Sequence, residues 1–177
     1  SASTQDLKNH LEKLQRRGVR IDMVIVDYGD LLRPVRAQKE KRHDLETIYE
    51  SLRGIAEEFQ CPVWTASQTN RAGVNAELIT VESISESYNK VFVSDFICTV
   101  SRTIHDKQSN TARMFVAKNR NGADGGIFPM AMDTSRVLVQ VLKNEGQNSI
   151  MVAASDPKEQ AAHINKTYKN FKKERQE

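Results

Sequence analysis

The sequence has few of the features that mark secreted, membrane or metal-binding proteins. It contains only two cysteines, Cys61 and Cys98, and neither has a Cys or His neighbour at metal-ligand spacing, so we expect two buried, reduced thiols. No apolar run approaches the roughly 20 residues that a membrane-spanning helix needs. No positively charged start is followed by an apolar stretch and a cleavage site. These absences predict a cytoplasmic protein without a membrane role.

The sequence also carries little net charge. A formal charge of +3 is too small to indicate nucleic-acid binding by itself. Apolar residues at 38% and charged residues at 28% are typical of a soluble domain, and 177 residues suffice for one domain with its own core. We predict a main domain over residues 1–142. The charged C-terminal tail over 143–177 is either a partner-docking helix or frayed, and the frayed end is the favoured interpretation.

Two apolar runs with an amphipathic helix between them predict a parallel crossover unit. The first run, over 21–27, is nearly continuous, as in a strand that is buried on both faces, and the second, over 63–67, follows Pro62. The helix between them is predicted to be capped by Asp44. Its buried stripe should comprise Leu45, Ile48, Leu52, Ile55, Ala56 and Phe59.

Four further strands are predicted after a polar region. They cover 95–101, 112–117, 127–132 and 137–142. Short turns join the last three, which indicates antiparallel pairing at that edge of the sheet. A surface helix over 7–14 and a helical turn over 84–88 complete the predicted α/β fold.

Each strand of the crossover unit is followed by polar residues. Asp27 ends the first strand, and Gln68 stands in the polar run after the second. Because parallel strands end at one edge of a sheet, where open α/β folds bind ligands, we expect both side chains at that edge. In nucleotide hydrolases a strand-end Asp holds magnesium, usually through water, and a neutral amide can hydrogen-bond the γ-phosphate or the attacking water. Taken alone, either residue could equally cap a helix or a strand end.

Three ordered blocks of the sequence resemble DnaB-type replicative helicases. The blocks are IDMVIVDY over 21–28, CPVWTASQTNR over 61–71 and AKNRNG over 117–122. They occur in the family's order, and the resemblance covers residues 4–142 and is closest to phage-encoded members. It implies a RecA-like core with a mostly parallel sheet, flanking helices and antiparallel edge strands, of which this chain is a part.

The resemblance also implies a nucleotide site with ATP and Mg²⁺ as cofactors. Asp27 corresponds to the Walker B acid, and Gln68 to the glutamine that couples the γ-phosphate to DNA contacts. Lys118 and Arg120 would reach the nucleotide of the neighbouring subunit, with Arg120 as the arginine finger. Alternation along the strand points both side chains the same way. Without the resemblance, the same hairpin would be interpreted as solvated surface charge.

The implied function is the motor of a replicative DNA helicase. In such a motor the subunits form a hexameric ring, ATP binds between neighbours, and single-stranded DNA passes through the centre. A primase or a helicase loader is the further partner that the resemblance suggests, in the cytoplasm of a bacterium or of a phage-infected cell.

Contacts with DNA phosphates are expected from the loops that follow the two strands. Basic residues crowd the loop after Asp27, where Glu40 is the only acid among them. Such a loop can track a phosphate backbone, although most charged runs are solvated surface. The candidate DNA-binding residues are Arg33, Arg36, Lys39, Arg42 and Arg71.

These 177 residues contain no Gly-Lys-Ser or Gly-Lys-Thr, the end of the loop that cradles phosphates in a working motor. Glu12 is the only glutamate before the first strand, and it has no matching motif around it. We therefore expect this chain alone not to hydrolyse ATP, and interpret it as a truncated fragment or one half of a split protein. Two alternatives stay open: a recombinase-like or clock-type ATPase of the same fold, and a RecA-like assembly module that has lost catalysis.

Overall fold

Two structural units make up the computed structural model of the chain. The structure describes residues 2–36, 40–69, 76–84, 89–142, 151–152 and 156–174. The first unit takes its residues from 1–68 and 84–94, and the second from 69–83 and 95–177. None of the helices described is both long enough and apolar enough to cross a membrane.

A parallel strand pair and the helix that connects it form the centre of the first unit. Strand β1 (Val24–Val26) leads through a short 3-10 helix (Gly29–Leu31) to helix α2 (Lys41–Phe59), and strand β2 (Val63–Thr65) follows. Val24 pairs with Val63 and Val26 with Thr65, so the two strands run in the same direction. The predicted parallel crossover is therefore confirmed. Helices α1 (Thr4–Arg16) and α3 (Asn89–Val93) complete the unit.

Helix α2 supplies most of the core of the first unit. The predicted stripe is buried at Leu45, Ile48, Leu52, Ile55 and Phe59. Residues spaced three and four apart share one helix face, and most of this face packs against Leu11, Val24 and the buried Cys61. Burying an apolar side chain of this size contributes about 1.5–3 kcal/mol.

The start of α2 differs from the prediction. Its N-cap is Glu40, whose side chain makes no capping hydrogen bond, and the helix begins at Lys41. The prediction that Asp44 caps the helix is therefore wrong. Asp44 lies in the first turn instead, where its negative charge interacts favourably with the helix dipole.

The parallel strands are buried on one face rather than on both. Val24, Val26 and Val63 belong to the core beside α2. Their cross-strand neighbours Ile25 and Trp64 are 74% and 46% exposed. The expectation of burial on both faces is wrong for the described residues, because α2 covers the face from which Ile25 and Trp64 point away.

An antiparallel sheet forms the second unit. Its strands are β3 (Phe96–Ser101), β4 (Thr111–Asn119), β5 (Gly126–Asp133) and β6 (Leu138–Val141), paired in that order, and β7 (Met151–Val152) pairs with β5. The four predicted strands and their antiparallel turns are confirmed. Among the described residues parallel pairing is confined to β1 and β2, so antiparallel pairing extends further than the sequence indicates.

Two helices belong to this second unit. Helix α5 (Pro157–Glu174) packs against β4 and β5 and buries Ile164, so most of the C-terminal tail is helical. The domain boundary at residue 142 stays a prediction. Helix α4 (Ile104–Ser109), which the sequence analysis did not predict, begins with a capping box between Thr103 and Asp106. The predicted helical turn over 84–88 lies almost wholly outside the described residues.

Candidate functional site

The two parallel strands bring their polar ends to one edge of the first unit. Asp27 directly follows β1, and Gln68 lies three residues beyond the end of β2. The Gln68 side-chain nitrogen donates a 2.9 Å hydrogen bond to the hydroxyl of Tyr28. The structure thus brings together the Asp27 turn and Gln68, as the sequence predicts, while the catalytic roles of both residues stay predictions.

The turn after β1 is held tightly against β2. The Gly29 amide donates to Thr65 Oγ1 over 2.7 Å, and the same hydroxyl donates to the Val26 carbonyl over 3.0 Å. A Cβ on Gly29 would lie 3.1 Å from Thr65 Oγ1 and 3.2 Å from the Tyr49 ring. Glycine is therefore the residue that fits here, and the chain after Asp27 is anchored to the end of β2.

A second acid at this edge, Asp30, lies at the centre of a polar cluster that the sequence analysis missed. The Lys90 ammonium donates to its Oδ1 over 2.7 Å and the Tyr49 hydroxyl over 2.8 Å, while Ser67 Oγ donates to Oδ2 over 3.1 Å. Lys90 also donates to Ser67 Oγ over 3.1 Å. We call Asp30, Tyr49, Ser67 and Lys90 the Asp30 cluster.

The sequence contained one indication of this cluster. Lys90 is the single charge beside the apolar run Val91–Val93, where a lysine is unexpected unless its ammonium is paired. Tyr49 stands next to the buried stripe of α2, with a hydroxyl that needs a partner when it is buried. Neither observation identifies Asp30 as the partner, because the three residues are far apart along the chain.

The electrostatics of the cluster favour an ionised Asp30. Burial alone would raise the pKa of this carboxyl, but the hydrogen bonds from Lys90 and Tyr49 and the charge of Lys90 lower the pKa below its ordinary value of 3.8. Burial, and then the hydrogen bond to Asp30, raise the pKa of the Tyr49 hydroxyl above its ordinary value. The cluster therefore consists of a carboxylate, an ammonium and neutral hydroxyls.

The two acids of this edge are in different states. Both oxygens of Asp30 are engaged by neighbouring side chains, whereas Asp27 is exposed. An exposed carboxylate beside a neutral amide suits Mg²⁺, which keeps most of its waters and takes one or two carboxylates together with substrate phosphates. Among the residues that the structure describes, no group of three or more His, Cys, Asp or Glu side chains could form a metal cage. Asp27 is thus the acid at this edge that fits a water-mediated magnesium ion.

The predicted cationic pair lies at the end of β4 in the second unit. Lys118 pairs with Ile97 of β3, next to an irregularity in the ladder, and Arg120 follows the strand. The Arg120 guanidinium lies 2.7 Å from Asp95 Oδ1, and its backbone amide donates to the Asp95 carbonyl over 2.9 Å. Arg120 is about half exposed and is held by a residue of its own unit.

The candidate DNA-binding residues are only partly described. Arg33 lies 3.9 Å from Asp6 and Arg42 lies 3.7 Å from Glu46, and Arg36 is exposed. Exposed ion pairs of this kind are weak, so they do not prevent a cation from contacting a phosphate. Lys39 and Arg71 lie outside the described residues, and the DNA role of all five residues stays a prediction.

Comparison with known proteins gives a family match. The model of the family "DnaB-like helicase C terminal domain" matches residues 1–136. The chain is 25% identical over 134 residues to the replicative DNA helicase DnaB of Haemophilus influenzae, a match that spans 69% of this chain and 27% of that protein. The chain thus corresponds to about a quarter of the length of this curated relative.

Two solved structures share its fold. The ATPase domain of a phage-type DnaB-like helicase superposes with a TM-score of 0.71 at 20% identity, covering 80% of this chain and 52% of that one. A DnaB-like replicative helicase, described together with its interactions with primase, gives a TM-score of 0.67 at 21% identity, covering 75% and 34%. The predicted α/β fold with RecA-like helicase ATPase domains as its neighbours is confirmed.

Proposed function

Because this chain belongs to the family of DnaB-like helicase C-terminal domains, we propose that it is part of the ATP-hydrolysing motor of a replicative DNA helicase. The observation that carries the proposal is the shared edge of β1 and β2, where the Asp27 turn and Gln68 are joined through Tyr28. In open α/β folds this edge is where ligands bind. ATP and Mg²⁺ are the proposed ligands.

Asp27 and Gln68 have separate roles in the proposed site. The Asp27 carboxylate orients the waters of Mg²⁺, which when bound neutralises charge on the β- and γ-phosphates. The Gln68 amide is neutral, so it can donate to a γ-phosphate oxygen or orient the attacking water without a change of protonation. Its hydrogen bond to Tyr28 presets the position of the amide relative to the Asp27 turn.

Lys118 and Arg120 supply positive charge to the nucleotide of a neighbouring subunit in a hexameric ring. The end of a strand is a rigid support for a guanidinium that stabilises a phosphoryl-transfer transition state. The ion pair with Asp95 restricts the rotamers of the Arg120 side chain before it meets a phosphate. In this proposal Arg120 is the arginine finger, and the ATP site is complete only between two subunits.

Single-stranded DNA is the proposed polymer on which the motor translocates. Arg33, Arg36, Lys39, Arg42 and Arg71 follow the two strands that end at the proposed ATP site, so phosphate contacts there would lie close in sequence to Asp27 and Gln68. A primase is a proposed partner, since one structural neighbour is described with its primase interactions. These roles belong to a cytoplasmic replication protein of a bacterium or of a phage-infected cell.

Hydrolysis also needs a phosphate-binding loop. These 177 residues contain no Gly-Lys-Ser or Gly-Lys-Thr, so we propose that they do not hydrolyse ATP unless such a loop is supplied by further sequence. The complete gene product is therefore the protein to assay.

The test compares two Asp→Asn variants at opposite ends of β1. In the complete gene product, Asp27→Asn should lower the DNA-stimulated ATPase rate by about a hundredfold or more, as expected for loss of a charge that acts on the transferring phosphoryl group. Asp22→Asn is the matched control, because Asp22 is an exposed acid that precedes β1 and pairs with Arg20 over 2.8 Å. Its rate should stay within about twofold of the wild type. Normal turnover by Asp27→Asn would rule out the site.

A further inference from the structure

The ammonium of Lys90 is buried within the Asp30 cluster. Only 3% of Lys90 is exposed. Its Nζ lies 2.7 Å from Asp30 Oδ1, 3.1 Å from Ser67 Oγ and 5.1 Å from the centroid of the Tyr49 ring. A cation at this depth is stable only because each of these groups offsets part of its lost hydration.

Each contact of Lys90 reaches a different element. Lys90 stands on α3, Tyr49 on α2, Asp30 in the 3-10 helix after β1, and Ser67 just after β2. The two last contacts are adjacent to the proposed ATP site: Asp30 is three residues after Asp27, and Ser67 directly precedes Gln68. One ammonium therefore holds both chain segments that carry the proposed site residues.

The hydrogen-bond geometry requires a cation at this point. Asp30 accepts from Ser67 through one oxygen and from Lys90 through the other, while Lys90 donates to both Asp30 and Ser67. This closed triangle fixes the distance between the ends of β1 and β2. An apolar side chain of the same length would fill the space but would leave the Asp30 carboxylate without its counter-charge.

We propose that Lys90 is a positioning residue for ATP hydrolysis, which sets the relative position of Asp27 and Gln68 through Asp30 and Ser67. This inference rests on the proposed function of the edge. Lys90 itself does not touch the nucleotide. Its effect is on the rate of turnover more than on nucleotide affinity, because phosphoryl transfer depends on exact placement of the acting groups and affinity depends on many contacts.

The test uses Lys90→Met in the complete gene product. We expect kcat to fall by about tenfold to a hundredfold, and KM for ATP to stay within about threefold of the wild type. The matched control is Arg113→Met, which removes the cation of a second buried ion pair, between Arg113 and Asp106 at 2.7 Å in the second unit. Arg113→Met should keep kcat within about twofold at temperatures where both variants are folded. A Lys90→Met protein that keeps its kcat, or a control that loses as much, would overturn the inference.

Hydrogen exchange separates this inference from the proposed function. Lys90→Met should speed amide exchange in the peptide that contains Gly29 by about tenfold, since the turn loses part of its anchorage to β2, whereas Arg113→Met should leave it unchanged. Unchanged exchange in Lys90→Met would refute the positioning role even in a protein with normal ATPase activity. If the wild type has no ATPase activity while this exchange result holds, the proposed function fails and the structural role of Lys90 stands.

A paired variant covers the case in which Lys90→Met does not fold. Lys90→Met combined with Asp30→Asn removes both charges together and leaves no buried ion unpaired. Because both residues act through the same contacts, the double variant should lose no more kcat than the more damaging single variant. Additive losses would show that Lys90 does not act through Asp30.

Discussion

Gln68 donates a hydrogen bond to the hydroxyl of Tyr28, the residue that directly follows Asp27. The ends of β1 and β2 are therefore joined by side chains as well as by the strand ladder. Thr65 adds a second connection, because its hydroxyl bonds both the Gly29 amide and the Val26 carbonyl. A displacement of Gln68 would thus be transmitted to the turn that carries Asp27.

The two acids of this edge should respond differently to the same substitution. Asp30→Asn leaves the Lys90 ammonium buried without a counter-charge, which typically costs about 3–5 kcal/mol. For a unit of this size the loss corresponds to a fall in Tm of about 6 °C or more. Asp27→Asn should leave Tm within about 1 °C of the wild type, because the carboxylate is exposed. Thermal unfolding of the complete gene product checks both values, and equal Tm shifts would contradict the assignment of a structural acid and a chemical acid.

Gly54 offers a test of which face of α2 meets solvent. It lies inside α2, and a Cβ at this position would have no atom within 4 Å. Gly54→Ala should therefore raise stability by about 0.5–1 kcal/mol, because alanine loses less backbone entropy in a helix. Tm of the complete gene product should rise slightly. A fall in Tm would show that this face of α2 is covered by another part of the protein.

The Asp106 carboxylate should make stability depend on pH. Burial alone would raise the pKa of this carboxyl, but the hydrogen bonds from Thr103 and the charge of Arg113 lower the pKa below its ordinary value of 3.8. A lowered pKa in the folded state contributes stability above pH 3.8, and the contribution is lost as the pH falls through the folded-state pKa. The Tm difference between the wild type and Asp106→Asn should be largest near pH 7 and should shrink below pH 3.8. A difference that stays constant across this range would mean that Asp106 is not ionised in the folded protein.

The parts of the fold that depend on local pattern were predictable from the sequence. The buried stripe of α2 and the four later strands follow from hydrophobic periodicity, and the parallel pairing of β1 with β2 follows from the crossover rule. The meeting of the Asp27 turn with Gln68 at one edge is a consequence of that pairing.

The remaining features depend on contacts between distant residues. Exposure of Ile25 could not be read from its apolar run, because a run looks the same whether one face or both are covered. Asp44 is a better capping residue than Glu40 by propensity, yet the helix begins three residues earlier. The bond between Lys90 and Asp30 spans 60 residues of sequence, and no local pattern relates the two.

The basic loop after β1 should contribute to DNA affinity through charge. Reversing Arg36 and Lys39 to Glu should weaken single-stranded DNA binding by the complete gene product. The slope of log affinity against log salt should become shallower by roughly 0.7 for each phosphate that the loop no longer neutralises. Binding measured at several salt concentrations gives this slope directly.

Arg20→Glu is the control for that experiment. Arg20 is exposed and precedes β1, so it lies at the end of the strand opposite to the loop. Its reversal should change affinity less than the loop variant does. An unchanged salt slope in the loop variant would remove this loop from the DNA path.

The shared ATP site can be tested by mixing two inactive variants of the complete gene product. In rings assembled from equal amounts of Asp27→Asn and Arg120→Ala subunits, about a quarter of the interfaces join an intact Asp27 to an intact Arg120 of the neighbour. As a control, Arg120→Ala subunits are mixed with the double variant Asp27→Asn/Arg120→Ala, which gives no intact interface. The account predicts that the first mixture hydrolyses ATP at up to about a quarter of the wild-type rate, while the control stays inactive. A first mixture no more active than its separate components, in rings shown to contain both variants, would contradict it.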